Sequence, residues 1–405
     1  MGLTRKRNLH TGKPVWSAYR HRIAFESPLR RSTRAEVVVI GAGITGSLVA
    51  QRLCELGMRP LILERRCSAL SGSTAASTAL LQFELDTPLV HLARKIGKRA
   101  AGRAWRCSHS AVNELRTHAY RLGIQARLES RPSLYLAGDL LDASGLRHEA
   151  LARQKLGLPS EFVDRRALRR HFNIDRRAAI LSHGNAEVDP VALAAGFLRH
   201  AVRAGARLHG PHEVTDLRAN GRYTTLSMTD GIEIRARHVV LCTGYELPKI
   251  VPATHHEVFS TWAIATVPQP DKLWPQRALI WEASQPYLYV RAAADGRVIC
   301  GGEDEEFDDD AHRDALIPRK MARLKTKLGK LFPQLDTRVA FAWAGSFGAS
   351  TSGTPSFGPI PGHPRCFAVL GYGGNGITFS MLAASMIARA VRGRSDVDAG
   401  LFAFE

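Results

Sequence analysis

A glycine-rich turn between two apolar strands is the feature that most constrains this chain. Residues 37–40 form an apolar, β-branched run, which is typical of a buried parallel strand. A G-x-G-x-x-G turn follows at once as Gly41, Gly43 and Gly46, and an apolar helical pattern and a second strand then lead to Glu64. Strand, turn, helix, strand and acid have the spacing of a dinucleotide-binding βαβ unit. We therefore predict a dinucleotide site at this turn.

Each part of this motif has a chemical role. Gly41 makes the tight turn, Gly43 lets the backbone approach a pyrophosphate, and Gly46 lets helix and strand pack closely. The pyrophosphate is expected at the amide-rich helix start, and Glu64 is expected to accept hydrogen bonds from a ribose. Arg65 follows the acid, but the acid would repel a 2′-phosphate. The sequence therefore favours FAD or NAD over NADP.

The composition of the chain limits which other classes of function are plausible for it. The chain has 405 residues, 45% of them hydrophobic, which is enough for two domains. Its formal charge of +19 raises nucleic acid or an anionic membrane as partners, but no aromatic residues interleave with a basic stripe, which favours a solvated basic face. Six cysteines show neither C-x-x-C nor metal-ligand spacing, so we predict no metal and a cytoplasmic location. No apolar run has membrane-spanning length.

The rest of the chain predicts two kinds of region. Residues 1–33 form a basic arm whose aromatic residues are suited to packing on the body. Residues 239–244 read as a buried parallel strand, and the glycine cluster at 371–376 reads as a second anion-binding helix start. Aromatic-rich strands between them indicate a separate mixed sheet. The predicted fold class is α/β, or α+β overall: a Rossmann-like domain with an inserted mixed-sheet domain.

Four motifs together resemble a known family: GAGITG with Glu64, the central VVLCTG, the W-x-G at residues 343–345, and the late GYGGNGITFS. They resemble the D-amino-acid oxidase / glycine and sarcosine oxidase superfamily of FAD-dependent amine oxidoreductases, and in particular its γ-glutamylputrescine oxidoreductase-like branch. The resemblance implies that three chain segments hold an extended FAD under a substrate domain. It assigns residues 34–126, 184–254 and 346–405 to the FAD-binding domain, and residues 127–183 and 255–345 to the substrate domain.

The resemblance also implies which residues contact FAD. The backbone near Val214 meets the adenine, residues 73–78 and 373–377 flank the flavin ring, and the second of these segments stabilises negative charge at N1 and C2=O. The expected FAD contacts come from the glycine turn, the segments after Glu64, the central strand and the late glycine cluster: Gly41, Gly43, Ile44, Thr45, Gly46, Glu64, Arg65, Ser73, Thr74, Ala75, Thr78, Val214, Thr243, Gly244, Gly345, Gly373, Gly374, Asn375, Gly376 and Ile377.

Departures from the family bear on the substrate. Sarcosine oxidases clamp a substrate carboxylate with an arginine and a lysine where this chain has Gln82 and Thr378, and the arginine of glycine and D-amino-acid oxidases falls near Phe347. A carboxylate buried without a cation is costly, so an amine without a carboxylate on its reacting carbon is favoured. The flavin-tethering cysteine falls at residues 343–344 and is absent, which predicts noncovalent FAD. Sarcosine oxidases have a lysine that promotes the reaction with O₂, and this chain has Ile299 near that position. The electron acceptor is therefore open between O₂, a quinone and a protein.

The predicted reaction is oxidation of a primary or secondary amine by hydride transfer to flavin N5, giving an imine that hydrolyses, with O₂ as acceptor and H₂O₂ as product. Tyr289 or Glu303 is expected to position the amine or take its proton. Substrate contacts are expected from Gln82, Trp281, Tyr287, Trp343 and Tyr372, with core packing as the alternative for each aromatic ring. Three other functions stay open: a D-amino acid or N-methyl amino acid dehydrogenase using a quinone or protein acceptor, a nucleic-acid-associated flavoprotein, and an inactive flavin-fold scaffold.

Overall fold

Two β-sheets and the helices that cover them make up the fold, as shown by a computed structural model that describes residues 2–19, 21–252 and 255–404. The strands are, in chain order, β1 (His10–Gly12), β2 (Thr33–Ile40), β3 (Leu61–Leu63), β4 (Leu80–Leu81), β5 (Glu129–Leu136), β6 (Ser160–Asp164), β7 (Ala178–Glu187), β8 (Arg207–His209), β9 (Val214–Ala219), β10 (Thr224–Met228), β11 (Glu233–Leu241), β12 (His256–Thr266), β13 (Leu279–Glu282), β14 (Leu288–Ala292), β15 (Val298–Glu305), β16 (Val339–Ser350), β17 (Ser356–Ile360) and β18 (His363–Leu370). The α-helices are α1 (Ile44–Glu55), α2 (Ser73–Ala76), α3 (Leu89–Ile96), α4 (Lys98–Arg121), α5 (Ala143–Lys155), α6 (Arg165–Phe172), α7 (Pro190–Arg203), α8 (Asp310–Ala315), α9 (Ile317–Leu331) and α10 (Gly376–Val391).

The first sheet holds the glycine turn, and its strand order is β17-β18-β11-β2-β3-β8, with β9 and β10 beside β11. β2 pairs in parallel with β3 and with β11, and β11 pairs in parallel with β18. The carboxyl ends of these strands therefore meet at one edge, where an open α/β sheet binds its ligand. This confirms the predicted Rossmann-like sheet. The strand that the sequence predicts at residues 239–244 is β11, which begins earlier, at Glu233, and ends at Leu241.

The second sheet is mixed, in the order β1-β16-β12-β15-β14-β13-β5-β7-β4, with β6 beside β7. Side chains on one face, among them Val290 and Cys300, form a core with Leu324 and Leu328 of α9. Side chains alternate between the two faces of a strand, so their neighbours Tyr289 and Gly301 face the other way. That second face borders the carboxyl-end edge of the first sheet.

Local sequence explains several boundaries around these sheets. Asp189 accepts hydrogen bonds from the N–H groups of Val191 and Ala192 and so begins α7, with Pro190 as its first residue. Gly97, at φ +87°, separates α3 from α4. No helix in the described ranges combines the length and apolar character that crossing a bilayer requires.

The basic arm packs on the body of the protein. β1 pairs with β16, and the Trp16 indole donates a hydrogen bond to the Ser77 carbonyl at 2.6 Å. The arm therefore contributes an edge strand to the second sheet.

The division into two domains stays a proposal. Its boundaries at 183/184 and 345/346 fall inside β7 and β16, which are continuous strands of the second sheet. The boundary at 254/255 adjoins residues 253 and 254, which lie outside the described residues.

Candidate active site

A cavity extends from the glycine turn to the second sheet. Gly43 and Glu64 line it on the side of the first sheet, and Tyr287 and Tyr289 line it on the side of the second. It therefore occupies the edge at which the carboxyl ends of the parallel strands meet, which is the place where the sequence predicts an extended ligand.

The glycine turn forms a cradle that larger residues would fill. A Cβ on Gly41, whose φ is +106°, would lie 2.3 Å from the Cys242 carbonyl oxygen, and one on Gly46 would lie 1.9 Å from the Gly41 oxygen. Apart from its chain neighbours, the only atom of the described residues within 4 Å of a Cβ on Gly43 would be Thr74 Oγ1, at 3.1 Å. The backbone at Gly43 is therefore open to the cavity at the start of α1, which fits a pyrophosphate.

Glu64 is fixed at the end of β3 by the backbone. Its Oε2 accepts from the Ala42 N–H and its Oε1 from the Arg66 N–H, each at 2.9 Å. A carboxylate can accept about four hydrogen bonds, so Glu64 retains capacity for ribose hydroxyls. Arg65 also lines the cavity, but its Nε donates to Glu246 at 2.9 Å, and Arg66 donates to the same carboxylate. The positive charge beside Glu64 is thus already paired, which fits a nucleotide without a 2′-phosphate.

All the expected FAD contacts line this cavity except Gly46 and Ala75. Gly46 instead packs against the Gly41 carbonyl, which is the packing role predicted for it, and Ala75 lies in α2. Ser73 Oγ is buried and has no hydrogen-bond partner within the described residues, so this hydroxyl is available to a ligand. Contact of each individual residue with FAD stays a prediction.

Hydrogen bonds join the late glycine cluster and the start of α10 to the segment that follows β4. The Thr378 hydroxyl donates to the Gln82 carbonyl at 2.8 Å, and the Asn375 amide donates to the Glu84 carbonyl at 2.6 Å. The Gly374 N–H donates to Asp86 Oδ2 at 2.7 Å. Asp86 lines the cavity, and burial raises the pKa of its carboxyl although the Gly374 N–H opposes this. These bonds hold Asp86 at the end of the cavity that faces the second sheet.

The aromatic residues predicted on β13 and β14 all line this end. Tyr287 and Tyr289 share one face, and their rings lie 5.6 Å apart. Tyr289 packs over Gly301, where a Cβ would lie 2.4 Å from its hydroxyl oxygen. Trp281 stacks on Tyr135 with ring centroids 3.9 Å apart. Burial raises the pKa of both tyrosine hydroxyls, so they stay protonated at neutral pH.

The other three expected substrate contacts also line the cavity, but they differ in what their polar atoms do. Gln82 Nε2 is buried without a partner in the described part of the chain, as is the Trp281 indole N–H. The Trp343 indole donates to the Ala76 carbonyl at 2.8 Å. The Tyr372 hydroxyl lies 3.0 Å from Thr45 Oγ1, on the α1 side of the cavity. A substrate contact from any of them stays a prediction.

The expected position of Glu303 is wrong. Glu303 does not line the cavity; its carboxylate pairs with Lys327 at 2.5 Å and with Arg323 at 3.2 Å, both on α9. The cause is a β-bulge, because Ser260 pairs with Glu305 while Trp262 pairs with Gly302, which leaves two residues of β15 opposite one of β12. Gly302, which precedes the bulge, and Glu303, its first residue, have positive φ, +130° and +60°.

The bulge reverses the expected directions of two adjacent acids of β15, Glu303 and Asp304. Glu303 turns toward α9, and Asp304 faces the hydroxyls of Thr261 and Tyr287. Residue-by-residue alternation misses this acid, and the adjacent glycines at 301 and 302 are the only sequence signal for a bulge. Asp86 was also missed, because it lies in a segment of alternating apolar and polar residues, F-E-L-D-T, that matches no motif.

Comparison with known proteins identifies the family. Residues 36–390 match the family described as DAO, FAD dependent oxidoreductase. The chain belongs to this family. It is therefore an FAD-dependent oxidoreductase, and the cradle at Gly41 and Gly43, the acid Glu64 and the free Ser73 hydroxyl are the residues that would hold FAD.

Relatives of this FAD-dependent oxidoreductase match along most of its length. γ-Glutamylputrescine oxidoreductase of Escherichia coli is 25% identical over 404 residues, which cover 96% of this chain and 90% of the relative. The probable oxidoreductase OrdL of Haemophilus influenzae is 22% identical over 384 residues, which cover 90% and 85%. The crystal structure of glycine oxidase from Geobacillus kaustophilus has a TM-score of 0.76 at 20% identity and covers 92% of this chain and 98% of its own. This likeness shows a shared fold.

Proposed function

We propose that this FAD-dependent oxidoreductase oxidises the C–N bond of a primary or secondary amine whose reacting carbon carries no carboxylate. FAD bound in the cavity supplies the acceptor for the hydride that leaves this carbon, and the resulting imine hydrolyses to an aldehyde or ketone. The chain's own residues bind the amine, orient it and exclude water.

The charge at the second-sheet end of the cavity carries this proposal. Asp86 opens into the cavity there, and its one hydrogen bond within the described residues comes from the Gly374 N–H. Among the described residues that line the cavity, the only lysines or arginines are Arg65 and Arg66, which are paired with Glu246 beside Glu64. An ammonium group would find a carboxylate at this end, whereas a substrate carboxylate would find no cation.

The positions that carry the carboxylate clamp in amino-acid oxidases support the same conclusion. Thr378 uses its hydroxyl on the Gln82 carbonyl, and Phe347 stacks on Phe259 with ring centroids 5.4 Å apart. Neither can pair with an anion. The E. coli relative is named for γ-glutamylputrescine, which agrees with an amine substrate.

Aromatic rings suit the capture of a cationic amine. Tyr287, Tyr289 and Trp281 line the same end of the cavity, and faces of tyrosine and tryptophan attract ammonium groups. We assign Tyr289 to positioning the amine by a hydrogen bond, because burial keeps its hydroxyl protonated and Gly301 leaves space for the ring.

We further propose that FAD is held noncovalently. Cys242 is the one cysteine among the described residues that line the cavity. Burial raises the pKa of its thiol, and a protonated thiol is a poor nucleophile. Denaturation without proteolysis should therefore release all the FAD.

A second candidate differs only in the electron acceptor. Ile299, which stands where sarcosine oxidases have their O₂-promoting lysine, is fully buried in the apolar core. This favours a dehydrogenase that passes electrons to a quinone or a protein. Peroxide formation in air separates the two: an oxidase forms H₂O₂ at the rate of amine consumption, and a dehydrogenase does not.

The test uses the FAD-loaded protein under anaerobic conditions. Polyamines, γ-glutamylated amines, N-methyl amino acids and D-amino acids are each mixed with it while the visible flavin absorbance is followed. We expect bleaching by one of the first two groups. Bleaching only by the amino acids would contradict the proposal, and so would a flavin that no amine bleaches.

A further inference from the structure

Asp304 is a buried acid that the reaction proposed above does not use. Both carboxylate oxygens are buried, and neither forms a hydrogen bond of regular distance and angle with the described residues, although the hydroxyls of Thr261 and Tyr287 lie beside them. An unpartnered charge inside a protein is costly. A carboxylate in this setting therefore needs a proton or a nearby cation.

The fold connects this acid to the cavity through two side chains. The bulge at Glu303 and Asp304 turns Asp304 toward Thr261 and Tyr287, whose hydroxyls face its carboxylate. Thr261 and Tyr287 line the cavity, and Asp304 does not. Both hydroxyls can thus be reached by a ligand in the cavity and by Asp304, and the phenol of Tyr287 is the more acidic of the two and so the better carrier of a proton.

The surroundings of Asp304 suit the exchange of a proton near neutral pH. Burial and the charge of Asp86 raise the pKa of Asp304, while the hydroxyls of Thr261 and Tyr287 and the charge of Lys320 lower it, and the net pKa is about 7. The charged or titratable groups that face this site are Tyr287, which precedes β14, Tyr289 of β14, Asp86 of the segment after β4, and Lys320 of α9. Glu303 and Glu305 of β15 itself pair with α9.

An amine substrate must lose a proton before it can be oxidised. An alkyl ammonium has a pKa of about 10.4 by analogy with lysine, so the free substrate is almost wholly cationic at pH 7. A hydride leaves the α-carbon only when the nitrogen lone pair is free to form the C=N bond. The site therefore needs a proton acceptor close to the bound amine.

We propose that Asp304 takes up this proton, with the Tyr287 hydroxyl carrying it from the cavity to the carboxylate; the inference rests on the amine oxidation proposed above. One N–H bond of the ammonium breaks and its proton binds the Tyr287 oxygen, while the phenol's own proton moves to a carboxylate oxygen of Asp304. No electrons are transferred in this step. Asp304 becomes neutral, the amine becomes neutral, and Asp304 is a positioning residue because it acts through Tyr287.

The first test is the pH dependence of anaerobic flavin reduction at saturating amine. In the wild type the limiting rate should rise with pH through one ionisation near pH 7. Asp304→Asn should lose this ionisation and reduce flavin at least tenfold more slowly at pH 7. The control Asp308→Asn removes an acid that pairs with Arg7 in the arm, and it should keep the wild-type profile. An Asp304→Asn protein with the wild-type profile would overturn the proposal.

The second test detects the proton itself by infrared difference spectroscopy of the FAD-loaded protein. The C=O band of a protonated carboxyl should titrate near pH 7 in the wild type without any substrate. Adding an amine at pH 7 should strengthen this band as its proton moves to Asp304. Tyr287→Phe should keep the titration but lose the amine-induced increase, which a purely structural role for Tyr287 would not do.

These outcomes separate the two proposals. If amines bleach the flavin but never strengthen the carboxyl band, the proton acceptor is not Asp304 and the amine oxidation stands. If no amine bleaches the flavin, the amine oxidation fails and the proton transfer fails with it. Because the Asp86 carboxyl can give a band in the same region, the infrared test is repeated in Asp86→Asn, where a band that titrates and strengthens with the amine identifies Asp304 even if Asp304→Asn does not fold.

Discussion

Replacement of Gly46 by alanine tests the cradle at the glycine turn. In α1 the added Cβ would lie 1.9 Å from the Gly41 oxygen, whereas ordinary contacts begin at 3.4 Å, so the helix and the turn must separate by about 1.5 Å, the difference between these distances. Overpacking of this kind costs about 1–3 kcal/mol, and alanine returns only about 0.5–1 kcal/mol through its better helix propensity. We expect Gly46→Ala to lower stability by up to about 2.5 kcal/mol, the difference between these two effects.

The same displacement should weaken FAD binding. It moves the amides at the start of α1 away from the pyrophosphate, and a hydrogen bond to a charged group contributes about 1.5–3 kcal/mol. Loss of one such bond raises the Kd for FAD about tenfold to a hundredfold. Titration of the apoprotein with FAD, followed by quenching of flavin fluorescence, measures this directly.

Gly329→Ala is the matched control for this experiment. Gly329 also lies inside a helix, α9, but its added Cβ would lie 3.5 Å from Thr337, which is an ordinary contact. This variant should gain about 0.5–1 kcal/mol and bind FAD like the wild type. If Gly46→Ala binds FAD with the wild-type Kd and melts no lower than Gly329→Ala, the reasoning about the cradle is refuted.

Three further predictions concern the second-sheet end of the cavity. Asp86→Asn should raise the Kd for the amine about tenfold to a hundredfold in anaerobic titrations without changing FAD content, because it removes the charge that pairs with the ammonium; an unchanged Kd would show that the amine binds elsewhere. Tyr289→Phe should slow flavin reduction at least tenfold at an unchanged thermal midpoint, since its ring still packs on Gly301, and equal rates would remove Tyr289 from the site. Glu303→Gln should lower the thermal midpoint but leave the rate of flavin reduction unchanged. Burial opposes ionisation of Glu303, but its bond to Lys327 and the charges of α9 outweigh burial and lower the pKa of the carboxyl. The ion pairs of Glu303 should therefore stabilise the fold above its ordinary pKa of 4.5, and this stabilisation should be lost as the pH falls below 4.5. A stabilising effect that persists in acid would contradict this.

The glycine turn was predictable because its determinants are local. The positions of Gly41, Gly43 and Gly46 in one short segment dictate a turn, an open backbone and a close helix contact, and the structure has each of these. Period-two alternation likewise placed Tyr287 and Tyr289 on one face. In both cases the spacing of the residues along the chain determines their positions in the local structure.

The acids of the site were not predictable in this way. Regular alternation along β15 would direct Glu303 to the cavity side of the sheet, but the bulge opposite Thr261 places Asp304 on that side instead. A bulge depends on how two distant strands pair, and one extra residue reverses every later side chain. Asp86 is positioned by a hydrogen bond from the N–H of Gly374, far along the chain, so no local sequence pattern predicts its place in the site.

One pair of substrates tests the central claim most directly: an amine that bleaches the flavin, and the same carbon skeleton with a carboxylate on the reacting carbon. Stopped-flow mixing of each with the FAD-loaded protein, without oxygen, gives the limiting rate of flavin reduction and the Kd. Because the described residues that line the second-sheet end include Asp86 and no cation, the account predicts weaker binding and slower reduction for the carboxylate. Tighter binding and faster reduction by the carboxylated compound would contradict it.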